Sequence, residues 1–293
     1  MRKPLLLLAS LSLLPAVPAL AQSRPAASRP TAQARPAPAR AATPPAAPKL
    51  VLNAEQRAEL EQAVTRGRML AAIDRAGYLS RRDMLTRVPN ATGAGILGWI
   101  AQPEGNGMTV TYYVKEGEAL AAIYKGQVLG GRISSPQVFP AGSRPALTGA
   151  AARMAAASEA ADKLDMKPCN GPDFNNLVLP PVGDGPVLVY RMSPRMAADR
   201  VPGGGYFRTA VAADGSIAPA VELGGECKDL PLPAIRAGQR PRPLVVNARD
   251  ALLPNELHVF LSLWTQRPVA VATGTDQVRL WGVNGNGIAE LPQ

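Results

Sequence analysis

The chain has 293 residues, a formal charge of +10, 46% hydrophobic but only 4% aromatic residues, 30 prolines, two cysteines and one histidine. One histidine excludes a zinc or iron site built on two histidines, and two cysteines exclude a four-cysteine metal site or an iron–sulfur cluster. Charged residues at 18% argue against a disordered polyelectrolyte, which leaves a globular protein with no cofactor implied.

The N-terminus reads as an export signal. Arg2 and Lys3 precede a leucine-rich run from Leu5 to Leu14, and Ala19-Leu20-Ala21 places small residues where a signal peptidase reads, so residues 1–21 are expected to be removed between Ala21 and Gln22. Pro15 and Pro18 interrupt the apolar run well short of the roughly 20 residues of a membrane span, and no later stretch approaches that length. A periplasmic or secreted protein is expected. Residues 22–49 hold seven prolines, ten alanines and five basic residues without an acid or an aromatic ring, a composition that cannot build a core and predicts a disordered linker. Its widely spaced charges favour a solvated spacer over a basic arm that binds anionic surfaces, with weak contact to such surfaces as the lesser expectation. Residues 50–293 retain 25 basic against 22 acidic residues, a net +3, so nucleic acid is not an expected partner.

Residues 50–293 predict an α+β domain, with a division near 145–168 as one way to partition it. Asn53 followed by Gln56 is a capping box, and Leu60, Ala63, Val64, Gly67, Leu70 and Ala71 recur at helical spacing. Ser80-Arg81-Arg82-Asp83 predicts a second helix, running toward Val88. Ile96–Ala101, Met108–Val114, Leu120–Tyr124 and Val128–Ile133 predict an antiparallel meander, and Leu147–Met166 a helix with Thr148 as its cap. In the second half, strands are expected at Asn175–Leu179, Val187–Met192, Tyr206–Ala212 and Ile217–Leu223, with Asp214-Gly215 as a tight turn. After a proline-rich passage from Pro231 to Pro243, further strands are expected at Leu257–Trp264, Val269–Thr273, Val278–Val283 and Gly287–Leu291. The order of elements lacks the regular βαβ alternation of a parallel-sheet enzyme. Residue matches between the halves are too weak to count as a repeat.

Cys169 and Cys227 predict a disulfide, because an even cysteine count in an exported chain favours pairing and no Cys-x-x-Cys redox spacing occurs. His258, the single histidine, shares one face of its expected strand with Glu256, Phe260 and Ser262. Any serine–histidine–acid chemistry would need His258, yet no Gly-x-Ser-x-Gly elbow is present, and a structural histidine is the simpler reading. Gly203-Gly204-Gly205 and the run Gly282–Gly287 lack the ending of a phosphate-binding loop and read as turns requiring positive φ. Spacing does not select a catalytic pair among Glu116, Glu118, Glu222 and Glu226. Trp99, Trp264, Trp281, Tyr112, Tyr113 and Tyr206 fall in the β-rich parts, where core packing is a stronger expectation than a carbohydrate platform.

The passages Pro168-Cys169-Asn170, Asn175–Pro181, Gly204–Arg208 with Asp214-Gly215, Cys227 and Glu256–Phe260 resemble a family of uncharacterised exported proteobacterial proteins, over most of residues 57–291. The resemblance implies export and the disulfide and adds no reaction. It also implies a histidine where Tyr206 stands, so a pair made by that histidine and His258 is not expected here. These observations predict a non-catalytic envelope binding or assembly component whose partner is an envelope protein or a glycan. The competing expectation is a hydrolase or transferase with a site near His258, drawing on Glu256, Arg208 and Tyr206.

Overall fold

The computed structural model describes residues 51–292; the expected signal segment 1–21 with its Ala21–Gln22 junction and the expected linker 22–49 lie outside the described residues. The fold is α+β, with one disulfide joining Cys169 and Cys227.

Helix α1 spans Ala54–Arg87. The expected capping box starts it: Asn53 Oδ1 accepts from the Gln56 amide at 2.8 Å, and Gln56 Oε1 accepts from the Asn53 amide at 3.0 Å. Ser80 does not begin a second helix. The buried stripe Leu70, Ile73, Ala76, Gly77, Ser80 and Met84 continues at three- and four-residue spacing, so tertiary packing overrides a local cap signal. Ser80 Oγ donates to the Gly77 carbonyl at 3.1 Å and lies 3.2 Å from the Tyr112 hydroxyl. Val88 ends the helix one residue before Pro89.

Strands β1 (Ile96–Glu104), β2 (Gly107–Glu116), β3 (Ala119–Leu129) and β4 (Arg132–Val138) form the expected antiparallel meander, ordered as in the chain. The stretch expected as one strand, Val128–Ile133, is instead a hairpin. Gly130 and Gly131 take φ of +56° and +77°, which only a glycine pair adopts without strain, and the chain reverses there. Alternation sends neighbouring tyrosines to opposite sides. Tyr112 reaches Ser80 of α1, and Tyr124 donates to Asp83 Oδ2 of α1 at 2.7 Å. Tyr113 donates to Glu159 Oε1 at 3.0 Å, on helix α2 (Gly149–Asp162) across the sheet. That helix is shorter than the expected Leu147–Met166, and Thr148 occupies the cap position without a side-chain cap bond.

The next strands are β5 (Asn175–Leu179), β6 (Val187–Met192), β7 (Arg200–Pro202), β8 (Tyr206–Val211), β9 (Val221–Glu222) and β10 (Asp229–Pro231). A second antiparallel sheet has the order β5-β6-β8-β9, while β7 and β10 form a separate pair. Asp214-Gly215 forms the expected turn, with Gly215 at φ +85°. The strand expected from Ile217 to Leu223 contracts to β9 plus a single bridge from Ile217 to Val211, because Pro219 has no N–H to continue a ladder.

The third sheet contains β11 (Leu244–Ala248), β12 (Val269–Thr273), β13 (Arg279–Asn284) and β14 (Gly287–Glu290), in that order. Leu257–Trp264, expected as a strand, is helical: α3 spans Glu256–Thr265 and connects β11 to β12, which pair in parallel. A nearly continuous apolar run satisfies both the alternating and the helical pattern, and the Asn255 cap decides for helix. The third sheet therefore contains one βαβ unit, which a strand at 257–264 would not form.

Helices α1 and α3 cross where Gly67 has no side chain. A Cβ there would lie 2.5 Å from Val259 Cβ and 2.7 Å from the Glu256 carbonyl oxygen. Gly67→Ala is expected to destabilise by about 1–3 kcal/mol, because the clash outweighs the roughly 1 kcal/mol of helix propensity that alanine adds. Urea unfolding checks this, and an unchanged or raised midpoint would show that the crossing can relax.

Candidate functional site

Two polar constellations flank the second sheet. The first contains the residues singled out from the sequence, on the face toward α1 and α3. Glu256 opens α3, and its side chain is only 4% exposed. Its Oε1 accepts from the Tyr190 hydroxyl at 2.9 Å and from Arg208 Nη1 at 2.5 Å, so β6 and β8 are both tied to the start of α3. Burial and the Glu256 charge push the Tyr190 phenol above its ordinary range.

His258 lies in the first turn of α3 and is 1% exposed. Its Nδ1 accepts from the Asn255 amide at 3.0 Å, while the Asn255 side chain accepts from the Leu257 amide and donates to the Leu223 carbonyl. The proton therefore resides on Nε2, which is buried without a hydrogen-bond partner. Burial pulls the imidazole down to about 4, so it is neutral at physiological pH. Among the described residues no hydroxyl or carboxylate is within hydrogen-bond reach of Nε2, and His258 lines none of the described grooves. Arg208 and Glu256 do border a groove of about 370 Å³ between α1 and the region around β9. Tyr206 is fully buried and donates to the Pro202 carbonyl at 2.9 Å, away from that groove.

The disulfide binds the far end of the same sheet. Cys169 N–H donates to Ser193 Oγ at 2.8 Å, and that hydroxyl donates to the Gly205 carbonyl at 2.9 Å. Within the glycine triplet only Gly205 takes a positive φ. Gly204 lies where a Cβ would sit 2.0 Å from the Gly225 carbonyl oxygen, so close backbone crossing, not turn geometry, explains it. The run Gly282–Gly287 likewise contains no positive φ; its Gly285 leaves room for Leu263. Of the four glutamates, Glu116 accepts from the Gly142 amide and Glu118 pairs with Lys115, while Glu222 and Glu226 border a separate groove of about 660 Å³.

The second constellation follows from the length of α2. On its face of the sheet, Val178, Val187, Val189 and Val211 pack against Met154, Ala155, Ala157 and Ala161. The helix ends at Asp162, and the next row of the sheet, Asn176 opposite Arg191 opposite Phe207, continues beyond it. There lies a groove of about 430 Å³, lined by Trp99, Asp162, Phe174, Asn175, Asn176 and Arg191 among others. Arg191 Nη1 donates to the Leu164 carbonyl at 2.9 Å, Nη2 is 3.7 Å from Asp162, and the guanidinium carbon stands 4.3 Å from the centre of the Phe174 ring. Asn176 Nδ2 donates to Asp162 Oδ1 at 2.8 Å and to Ser158 Oγ at 3.1 Å. Two polar atoms are left buried without partners, Arg191 Nε and Asn176 Oδ1. Beside them Asn175 Nδ2 donates to Asp74 Oδ1 at 3.1 Å, and burial pushes the Asp74 carboxyl up to about 6.

Of the aromatic residues in the β-rich parts, Tyr112, Tyr113, Tyr206 and Trp281 are core, as expected. Trp99 is partly exposed and borders this groove; Phe174, which sequence reasoning passed over, forms another of its walls. The available signal was an arginine inside the apolar strand Val187–Met192 and the adjacent Phe174-Asn175-Asn176, but only strand register makes them one row. Among the described residues no cluster of three or more His, Cys, Asp or Glu is placed to hold a metal ion. Comparison with family models, with curated proteins and with solved structures finds no match.

Asp74 and His258 have opposite effects on stability as pH changes. Asp74, raised from 3.8 to about 6, costs stability above pH 6 and nothing below about pH 4; Asp74→Asn is expected to raise the unfolding free energy at pH 7.5 by up to about 3 kcal/mol, with no difference at pH 3.5. His258, lowered from 6.5 to about 4, contributes stability above pH 6.5 that is lost as pH falls toward 4. His258→Gln keeps a cap acceptor at that position and is expected to flatten this acid limb. Denaturant titrations of both variants from pH 3.5 to 7.5 check the signs, and parallel pH profiles for wild type and variant would refute either assignment.

Proposed function

We propose that this is an exported protein, periplasmic or secreted, that acts without catalysis as an envelope binding or assembly component and holds its partner in the groove beyond the end of α2. The observation that carries the reading is the pair of buried, unpartnered polar atoms, Arg191 Nε and Asn176 Oδ1, on residues that line a groove with aromatic walls. A buried polar group normally has a partner, and two unpartnered ones on facing residues beside a groove, unlike the single His258 Nε2 on a residue that lines none, mark a place where one is to be supplied. Export rests on the signal pattern of residues 1–21 and is supported by the disulfide, which persists in oxidising compartments. No helix among the described residues is long and apolar enough to cross a membrane.

The alternative, a hydrolase or transferase near His258, has to employ an imidazole that is 1% exposed, with one nitrogen engaged in capping and the other facing no acid or hydroxyl. A catalytic base needs to touch the atom it deprotonates, and this geometry argues for a structural histidine.

A photo-crosslinking residue in place of Phe174, in the full chain expressed with its own N-terminus, tests the binding reading in envelope fractions. An adduct is expected at position 174 and not at Tyr78, which is 79% exposed on α1 away from the groove lining. Equal labelling at both positions, or none at 174, would remove the groove from consideration.

A further inference from the structure

Groups in the wall of this groove restrict the chemistry of its occupant. Arg191 is 93% buried, and its charge already faces Asp162 and the Leu164 carbonyl. An anionic ligand would therefore compete with an existing pair and also meet Asp173, another lining residue. A small cation would meet the Arg191 guanidinium in the same wall. The wall atoms of these two residues that are both buried and unpartnered are one donor, Arg191 Nε–H, and one acceptor, Asn176 Oδ1, on residues directly opposite each other across β5 and β6. A hydroxyl group suits both, since it accepts one hydrogen bond and donates another.

The aromatic walls add a second requirement. Trp99 is held in place by α1, where its ring fills the space left by Gly77. Phe174 is held between the Arg191 guanidinium at 4.3 Å and the edge-on Phe207 ring at 5.9 Å. Rings fixed in this way offer apolar surface at little entropic cost, and neighbouring Asn175 and Asp173 supply polar groups at the rim. A ligand with an apolar face and hydroxyls around its edge matches both requirements.

The geometry points to a saccharide as the ligand of this groove, with a sugar face against Trp99 or Phe174 and one ring hydroxyl at the Arg191–Asn176 pair, whose unpartnered atoms lie buried in the wall and are reached by a small side-chain shift. This assignment rests on the binding reading above and narrows it to neutral, polyhydroxylated ligands. The uncharged sugar units of peptidoglycan glycan strands, such as N-acetylglucosamine, and the uncharged hexoses of lipopolysaccharide polysaccharide share this chemistry.

The test is titration calorimetry of the folded protein with soluble glycan strands cut from peptidoglycan, with delipidated lipopolysaccharide polysaccharide and with a maltooligosaccharide. At least one is expected to bind with a dissociation constant below about 1 mM, and the three separate the sources. Phe174→Ala and the exposed rim change Asp173→Ala are each expected to weaken that binding, the first by tenfold or more, with circular dichroism spectra unchanged. In nitrogen-15 spectra the Arg191 Nε–H signal is expected to move on ligand addition. If no glycan binds while the crosslink at position 174 persists, the saccharide assignment falls and the binding reading stands. If neither is observed, both fall. Glycan binding unaffected by the two variants, or with a stationary Arg191 Nε–H signal, would place the sugar elsewhere and overturn the assignment.

Discussion

Helix α1 bears the contacts that hold three sheets in one domain, and its 34 residues, about 50 Å long, have to remain unbroken for this to work. The first sheet meets it through Tyr112 at Ser80 and Tyr124 at Asp83. The second meets it through Asn175 at Asp74. The third meets it through α3 at Gly67 and through the Arg68 guanidinium, which donates to the Gly285 and Asn286 carbonyls. Successive contacts along one rigid rod fix where each sheet lies along it. A second helix beginning at Ser80 would have broken this series between the first sheet and the others.

Buried polar groups define what each part of the domain can do. Around Glu256 they are matched: a carboxylate accepts from a phenol and a guanidinium, and two strands are joined to a helix start. A matched buried network favours one arrangement and leaves little capacity for a ligand. His258 belongs to that network through its cap, although its second nitrogen has no partner. Beyond the end of α2 the balance differs. Arg191 and Asn176 bond residues at the helix end, and each keeps one buried atom unmatched on the side of the sheet where the groove lies.

Much of the fold was legible where local signals agree with tertiary packing. The capping box at Asn53 starts α1, the first meander has its expected order, and β5 and β6 keep their expected ends. The cysteine count led to the disulfide. Legibility failed where one residue pattern serves two structures. Leu257–Trp264 is apolar enough for either period, and the Asn255 cap together with burial against α1 and the third sheet makes α3 a helix. Short strands such as β7, β10 and β11 carry almost no periodic signal, since their existence depends on partners distant in sequence. The residues around His258 drew notice because the histidine is unique, while Arg191, Asn176 and Phe174 did not, being three ordinary residues until register aligned them.

By itself the sequence determined the α+β class, the single cysteine pair, the start of α1 and the exclusion of multi-histidine and multi-cysteine metal sites, because these follow from composition and from interactions within a few residues. Tertiary structure alone decided that His258 is enclosed, that α2 stops one row short of covering the second sheet, and that a groove with two unmatched polar atoms results. Those outcomes depend on burial and on strand register, which bring together residues from positions 99, 162, 176 and 191 and which no short window of the chain encodes.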